Sequence, residues 1–229
     1  GEDVLRLIED GKIEYASVTK IGAYEQKTGY IEKHIEQILA LPMVDVEGIK
    51  KRGFKIVVDC INSTGAISIP PLLDQLGCEY ILMNEEVNGI FAHNPEPLAE
   101  NLTGISKKIQ IERADLGIVV DPDVDRLAFV CEDGEMFGEE YTLVAVADYV
   151  LSKKPGPTVS NLSSTKALRD VTEKKYGQQY HASAVGEVNV VTKMKEVGAV
   201  IGGEGNGGVI YPKLHFGRDA LVGIALFLT

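Results

Sequence analysis

From residue 54 onward, short β-branched runs alternate with stretches whose apolar positions recur at helical spacing. Segments 54–60, 79–83 and 116–120 read as strands and 67–76 and 98–111 as helices, a βαβαβ series. A second cycle comes after it, with helices over 139–151, 165–176 and 187–196 and strands over 158–162, 179–182 and 199–202. Residues 127–130 and 209–212 read as further strands, the latter broken by Pro212. The two cycles meet at Asp133 and Gly134, with Gly138 close behind, where turn chemistry is concentrated. The pattern predicts an α/β fold of two consecutive α/β domains, each a mixed, largely parallel sheet packed with helices. An amphipathic segment over 24–41, ended by Pro42, precedes the first cycle. Residues 1–23 have no clear strand partner and read as the remnant of an upstream domain. At the other end, an apolar helix-like run stops at Thr229 without a cap, so both ends predict a fragment.

Composition narrows the function classes. With 229 residues, 45% hydrophobic and 25% charged, there is apolar surface for one large or two modest domains, and the pattern favours two. The three cysteines are scattered and odd in number, which suits a reducing compartment and predicts a cytoplasmic protein. The longest apolar run, 220–228, is far short of the roughly 20 residues of a spanning helix, so no membrane partner is expected. A net charge of -11 without a basic stripe argues against a nucleic-acid partner.

The sharpest local signal is Asp121-Pro122-Asp123-Val124-Asp125-Arg126, directly after the buried-strand pattern 116–120. Like charges at ~4 Å cost roughly 1 to 4 kcal/mol per pair, so three converging carboxylates call for a cation. Oxygen-only ligands favour Mg²⁺ or Ca²⁺ over zinc. A solvated acidic turn is the plain alternative. A calcium EF-hand matches at its first, third, fifth and twelfth positions but fails at the sixth, where Arg126 stands in place of the glycine.

The second signal is Gly202-Gly203-Glu204-Gly205-Asn206-Gly207-Gly208. It formally satisfies the dinucleotide pattern, yet Val209-Ile210-Tyr211-Pro212 after it is strand-like, whereas a dinucleotide loop opens a helix. What remains is a carboxylate and an amide on a backbone that can approach a ligand closely, suited to sugar hydroxyls; an ordinary glycine-rich hairpin is the alternative. Two weaker features stay open. His93, in a loop stiffened by Pro95 and Pro97, fits a structural role at least as well as a binding one, and Glu187 after Gly186 fits capping as well as ligand contact. Ser163, Ser164 and Thr165 read as helix-capping material.

Taken together, these loops resemble the α-D-phosphohexomutases, the family of phosphoglucomutase, phosphomannomutase and phosphoglucosamine mutase. Asp121 to Arg126 is similar to the family's metal loop, and Gly203 to Gly208 to its sugar-recognition loop. His93-Asn94-Pro95-Glu96-Pro97 is similar to a stretch between them, and Gly186-Glu187 lies where the family has a sugar contact. The resemblance implies that 24–133 is the family's second domain, with the metal loop, and 134–229 its third, with the sugar-binding loop. Asp121, Asp123 and Asp125 would then hold one Mg²⁺, and Arg126 would serve catalysis beside a phosphoserine. Glu204, Asn206, Gly186, Glu187 and His93 would contact substrate.

The implied reaction moves phosphate between the 1- and 6-positions of a hexose phosphate, glucose or mannose by preference. It runs through a hexose 1,6-bisphosphate, which is both intermediate and activator. The Thr-Ala-Ser-His-Asn-Pro stretch of the first domain and the Arg-rich phosphate site of the fourth do not occur in this sequence. The missing first and fourth domains are therefore expected partners on the same polypeptide, and this segment alone is expected to be inactive. Gly208 stands where several members place a histidine, which leaves the sugar open. The rivals are a phosphoglucosamine mutase fragment, a phosphohydrolase using the aspartate loop directly, a non-catalytic sugar-phosphate or metal-binding module, and, last, a dehydrogenase.

Overall fold

The structure is a computed structural model and describes residues 2–11 and 13–229. It comprises two compact units, residues up to Tyr30 and Ile31–Thr229. The first holds a short helix, α1 (Glu2–Glu9), and a 3₁₀ turn at Val18–Lys20.

The second unit carries both sheets. Helices α2 (Tyr30–Leu39) and α3 (Val46–Arg52) lead into β1 (Lys55–Asp59), α4 (Gly65–Gln75), β2 (Glu79–Met83), α5 (Thr103–Glu112), β3 (Leu116–Val120) and β4 (Leu127–Cys131). The strands lie in the order β2-β1-β3-β4, parallel except for β4, which runs antiparallel to β3. Then come α6 (Glu139–Lys153), β5 (Thr158–Asn161), α7 (Ala167–Asp170), β6 (Tyr180–Ser183), α8 (Glu187–Val197), β7 (Ile201–Glu204), β8 (Gly208–Ile210) and α9 (Ala220–Leu228). The second sheet repeats the first, in the order β6-β5-β7-β8 with only β8 antiparallel. The α/β reading with two mixed, mostly parallel sheets is therefore correct.

Three elements depart from the periodicity. The predicted helix 98–111 splits at Leu102 into a 3₁₀ turn, Ala99–Asn101, and α5. The predicted helix 165–176 widens after α7 into a π turn, Val171–Lys175. There the buried Thr172 hydroxyl donates to the Leu168 carbonyl (2.8 Å) and pairs with the Thr158 hydroxyl (2.7 Å), the kind of side-chain insertion that loosens a helix turn. The segment 24–41 is helical only from Tyr30.

The helix that runs to the C-terminus proves central. Asp219 caps α9, accepting from the backbone N–H groups of Leu221 and Val222 at 2.8 and 3.1 Å. The helix is apolar all round and buried accordingly, packing against α4, α6, β4 and β8. Phe227 stacks on the fully buried Phe129 of β4 at 3.7 Å. Because β4 belongs to the first sheet and β8 to the second, one continuous core joins the two sheets through α6 and α9.

Candidate active site

In an open α/β sheet, ligands bind where the strand order reverses, at the carboxyl ends of the strands. In the first sheet that point lies between β1 and β3. The all-apolar buried strand β3 delivers Asp121 there, and it is itself buried. The loop then folds back on this carboxylate, whose Oδ1 accepts from the backbone N–H groups of Asp125 and Arg126, both at 3.0 Å. Closing so tight a turn forces Val124 to φ 61°, a left-handed conformation that is unusual for a β-branched residue and costs roughly 1 to 3 kcal/mol. The hydroxyls of Ser63 and Thr64 donate to the Pro122 carbonyl at 2.8 and 2.5 Å and hold the turn from the β1 side.

The result is three carboxylates, Asp121, Asp123 and Asp125, with one oxygen from each within 4.8 Å of the others. Burial pushes the Asp121 carboxyl up to about 6; the backbone N–H of Arg126 opposes this, and the charges of Asp125 and Asp123 add to it. Asp125 Oδ1 is buried without a hydrogen-bond partner among the described residues. A crowded oxygen-only set with an orphaned acceptor fits a hard divalent cation such as Mg²⁺. Arg126 stands beside the set, its Nε 3.5 Å from Asp121 Oδ2 and its Nη1 3.6 Å from Glu96.

In the second sheet the corresponding point lies between β5 and β7, and it is occupied by Asn161 and Glu204. Glu204 is 4% exposed. Its Oε1 accepts from Asn161 Nδ2 (2.7 Å) and the Gly186 N–H (3.2 Å), and its Oε2 from Arg218 Nη1 (2.8 Å). Of the roughly four acceptor directions a carboxylate has, one remains for a ligand. Asn206 turns its Oδ1 to the Gly208 N–H at 3.2 Å, while its Nδ2 has no hydrogen-bond partner among the described residues. It lines a cavity of about 370 Å³ together with Arg126, Glu96, Glu139, Glu140 and Ser163.

Two contacts lock the loops together. Gly207, at φ 89°, lies so close to β4 that a Cβ would collide with the Leu127 carbonyl oxygen. Arg218 joins three carboxylates: Asp125 Oδ2 at 2.5 Å, Glu204 Oε2 at 2.8 Å and Glu187 Oε2 at 3.7 Å. Its backbone N–H also donates to Glu187 Oε1 at 3.0 Å.

The model of the phosphoglucomutase/phosphomannomutase alpha/beta/alpha domain II matches residues 30–134, and that of domain III matches residues 138–229. The chain belongs to the phosphoglucomutase/phosphomannomutase family. It is 34% identical over 230 residues to a probable phosphoglucosamine mutase of Methanopyrus kandleri, covering all of this chain and 50% of that protein. A phosphoglucomutase/phosphomannomutase of Thermococcus kodakarensis is 38% identical over 195 residues, covering 85% and 42%. Among solved structures, a phosphoglucomutase/phosphomannomutase family protein of Burkholderia thailandensis superposes with a TM-score of 0.83 at 28% identity, covering 100% of this chain and 49% of that one. The chain thus spans about half the length of the curated relatives it matches.

Within this family fold, the remaining sequence candidates take different places. His93 lies in neither cluster: its Nε2 meets Asp59 Oδ2 at 3.0 Å and its Nδ1 meets the Asn94 carbonyl at 2.8 Å, so both ring nitrogens are engaged. From the same loop it is Glu96 that reaches Arg126. Gly186 is the N-cap of α8 and Glu187 its first residue, with the carboxylate turned to Arg218. Sequence reasoning missed Arg218 and Asn161. A signal for the first existed, because Asp219 before a wholly apolar run is an N-cap pattern that marks Arg218 as a fixed loop end.

Proposed function

We propose that this chain is the metal- and sugar-binding core of an enzyme that moves phosphate between the 1- and 6-positions of a hexose phosphate. The transfer uses a phosphoserine carried by another part of the polypeptide and passes through a hexose 1,6-bisphosphate. The observation that carries this reading is that Arg126 from the aspartate loop and Asn206 from the glycine loop line one cavity. Asp121, Asp123 and Asp125 would hold Mg²⁺, which when bound neutralises charge on phosphoryl oxygens.

The chain's own groups supply binding and orientation. Arg126 offers a guanidinium to a phosphate entering the cavity. Asn206 Nδ2 donates to a sugar hydroxyl, and Glu204, held by Asn161, Gly186 and Arg218, accepts from one with its remaining lone pair. Because phosphoryl transfer depends mainly on positioning and electrostatics, rigid placement of these groups is the chain's catalytic contribution. His93 acts as a brace for the loop carrying Glu96. The three free cysteines support a cytoplasmic location, and among the described residues no helix is long and apolar enough to cross a membrane.

Glucose and mannose phosphates are the preferred substrates in this reading. The phosphoglucosamine mutases among the relatives favour glucosamine phosphate as the second candidate. Phosphorus NMR of the three 1-phosphates, each incubated with the full polypeptide, Mg²⁺ and a bisphosphate activator, tests both. A 6-phosphate signal that is lost in Asp123→Asn supports the reaction and names the sugar. Unchanged spectra for all three, with Mg²⁺ binding intact, refute it in favour of a binding module.

A further inference from the structure

A second convergence of ligating groups forms at Asp219, the residue after Arg218. Asp219 is 6% exposed, and its Oδ1 is committed to the first turn of α9, which aims Oδ2 the opposite way. Two imidazoles meet that single oxygen: His34 Nε2 of α2 at 2.7 Å and His215 Nε2 at 3.0 Å. The rings sit 5.6 Å apart at 48°, and the ligating atoms of all three residues lie within 4.8 Å of one another. One imidazolium suffices to pair one carboxylate, so the second ring is surplus to a simple ion pair. His34 comes from 185 residues away, at the start of the first sheet's half, so the convergence is not a product of local chain geometry.

The donor set decides the kind of ion. Two imidazole nitrogens and one carboxylate oxygen suit zinc and other borderline transition metals, whereas the oxygen-only aspartate loop suits Mg²⁺. Zn–N and Zn–O bonds of about 2.0 to 2.2 Å in a tetrahedron put neighbouring ligand atoms about 3.3 Å apart. The observed 2.7 and 3.0 Å reach that value with side-chain shifts of a few tenths of an ångström. The histidine side chains are 29% and 43% exposed and free to make them. A cavity of about 440 Å³, bordered by all three residues and by Thr64, Ser68 and Asp123, leaves room for a water as fourth ligand. Three protein ligands with one open position is a recurrent zinc arrangement.

We propose that His34, His215 and Asp219 form a second metal site, for Zn²⁺ or a similar transition ion, that pins α2 to the N-terminus of α9. The site ties the first helix of the domain II match to the last helix of the domain III match, and it is independent of the phosphate-transfer reading.

Titration of the chain with Co²⁺ as a spectroscopic stand-in tests it. The expected result is one ion per chain with the intense visible bands of tetrahedral nitrogen and oxygen ligation, displaced by Zn²⁺ and unmoved by excess Mg²⁺. His34→Gln and His215→Ala should each weaken binding by more than the roughly 10- to 100-fold that loss of an outer-sphere partner produces, with the circular dichroism of the fold retained. Because His215 is well exposed, its replacement separates ligand loss from unfolding. Asp123→Asn should leave the bands intact. The proposal is overturned if Co²⁺ gives no such bands, if they survive His215→Ala, or if Asp123→Asn removes them, which would place the ion in the aspartate loop.

Discussion

Replacing Arg218 by methionine removes the cation shared by Asp125 and Glu204 while keeping most of the side-chain volume. The Arg218 side chain is 15% exposed, and breaking a buried pair by deleting one partner costs about 3 to 5 kcal/mol. Two features place this case at the lower end. Glu204 keeps its hydrogen bonds from Asn161 and Gly186, and Asp125, the more exposed partner, can take up water. The expected loss is about 3 kcal/mol, a large part of the 5 to 15 kcal/mol by which domains are stable. With a urea slope of about 2 to 3 kcal/mol per molar, the unfolding midpoint falls by about 1 to 1.5 M, tracked by far-ultraviolet circular dichroism.

The double-mutant cycle with Glu204→Gln should give a coupling of about 1 to 3 kcal/mol, because the neutral amide no longer needs the guanidinium. The Arg218→Met substitution should also tighten Mg²⁺ binding in calorimetry, since Asp125 loses a competing cation 2.5 Å away. A merely disordered loop would bind Mg²⁺ more weakly. If Arg218→Met unfolds within about 0.5 kcal/mol of the parent and the cycle is additive, Arg218 does not lock the loops together.

Three further outcomes rest on the same geometry. Mg²⁺ at about 100 times its dissociation constant should raise the unfolding free energy by about 2.7 kcal/mol, a gain absent in Asp123→Asn; an equal gain in both would place the ion elsewhere. Gly207→Ala should cost about 3 kcal/mol or more, combining left-handed backbone with a collision against the Leu127 carbonyl, whereas Gly177→Ala, at φ 62° with open space around it, should cost about 1 to 2; equal losses in urea unfolding would refute the abutment. Burial pushes the thiols of Cys60 and Cys78 up to about 12 and about 11, so above the ordinary thiol range the unfolded chain holds fewer protons than the folded one. Stability should therefore fall between pH 9 and 11 by about 1 kcal/mol per pH unit for each thiol, below the limiting value of about 1.4, and replacing both by alanine should flatten that slope.

Much of the fold was legible because strand and helix periods are local properties. The predicted strands 79–83 and 116–120 coincide with β2 and β3, and the carboxylate spacing at 121, 123 and 125 carries the turn that brings the three together. Helix α3 went unread, although its signals were present: Asp45 caps it by accepting from the Gly48 N–H, and Gly53 ends it at φ 61°. Gly48 inside the segment and the Lys50-Lys51-Arg52 run obscured the apolar face. The Val124 conformation and the partners of Glu204 were illegible for a different reason. Both are set by tertiary contact, the first by the fold-back of the loop onto Asp121 and the second by groups from β5, α8 and the start of α9. His93, a histidine in a stiff loop, turns its Nε2 to Asp59 and its Nδ1 to the Asn94 carbonyl, and it does not line the cavity of Arg126 and Asn206.

The repeated sheet order explains why two loops from different halves can act as one site. Each sheet reverses its strand order at the same place, so each presents one loop at its carboxyl edge: the aspartates after β3 and the glycines after β7. Two such crevices would ordinarily be independent. Here the antiparallel fourth strand of the first sheet carries the Leu127 backbone to Gly207, with a hydrogen bond from the Leu127 N–H to the Gly207 carbonyl at 3.2 Å. Arg218 then bridges Asp125 to Glu204, and α9 behind it fills the space between β4 and β8. Each tie uses a residue that another type would not replace: glycine for the backbone approach, arginine for its divergent donors, and an unbroken apolar helix for the packing. The spacing between the carboxylates and Asn206 is therefore set within this chain, by ties that run from one sheet to the other.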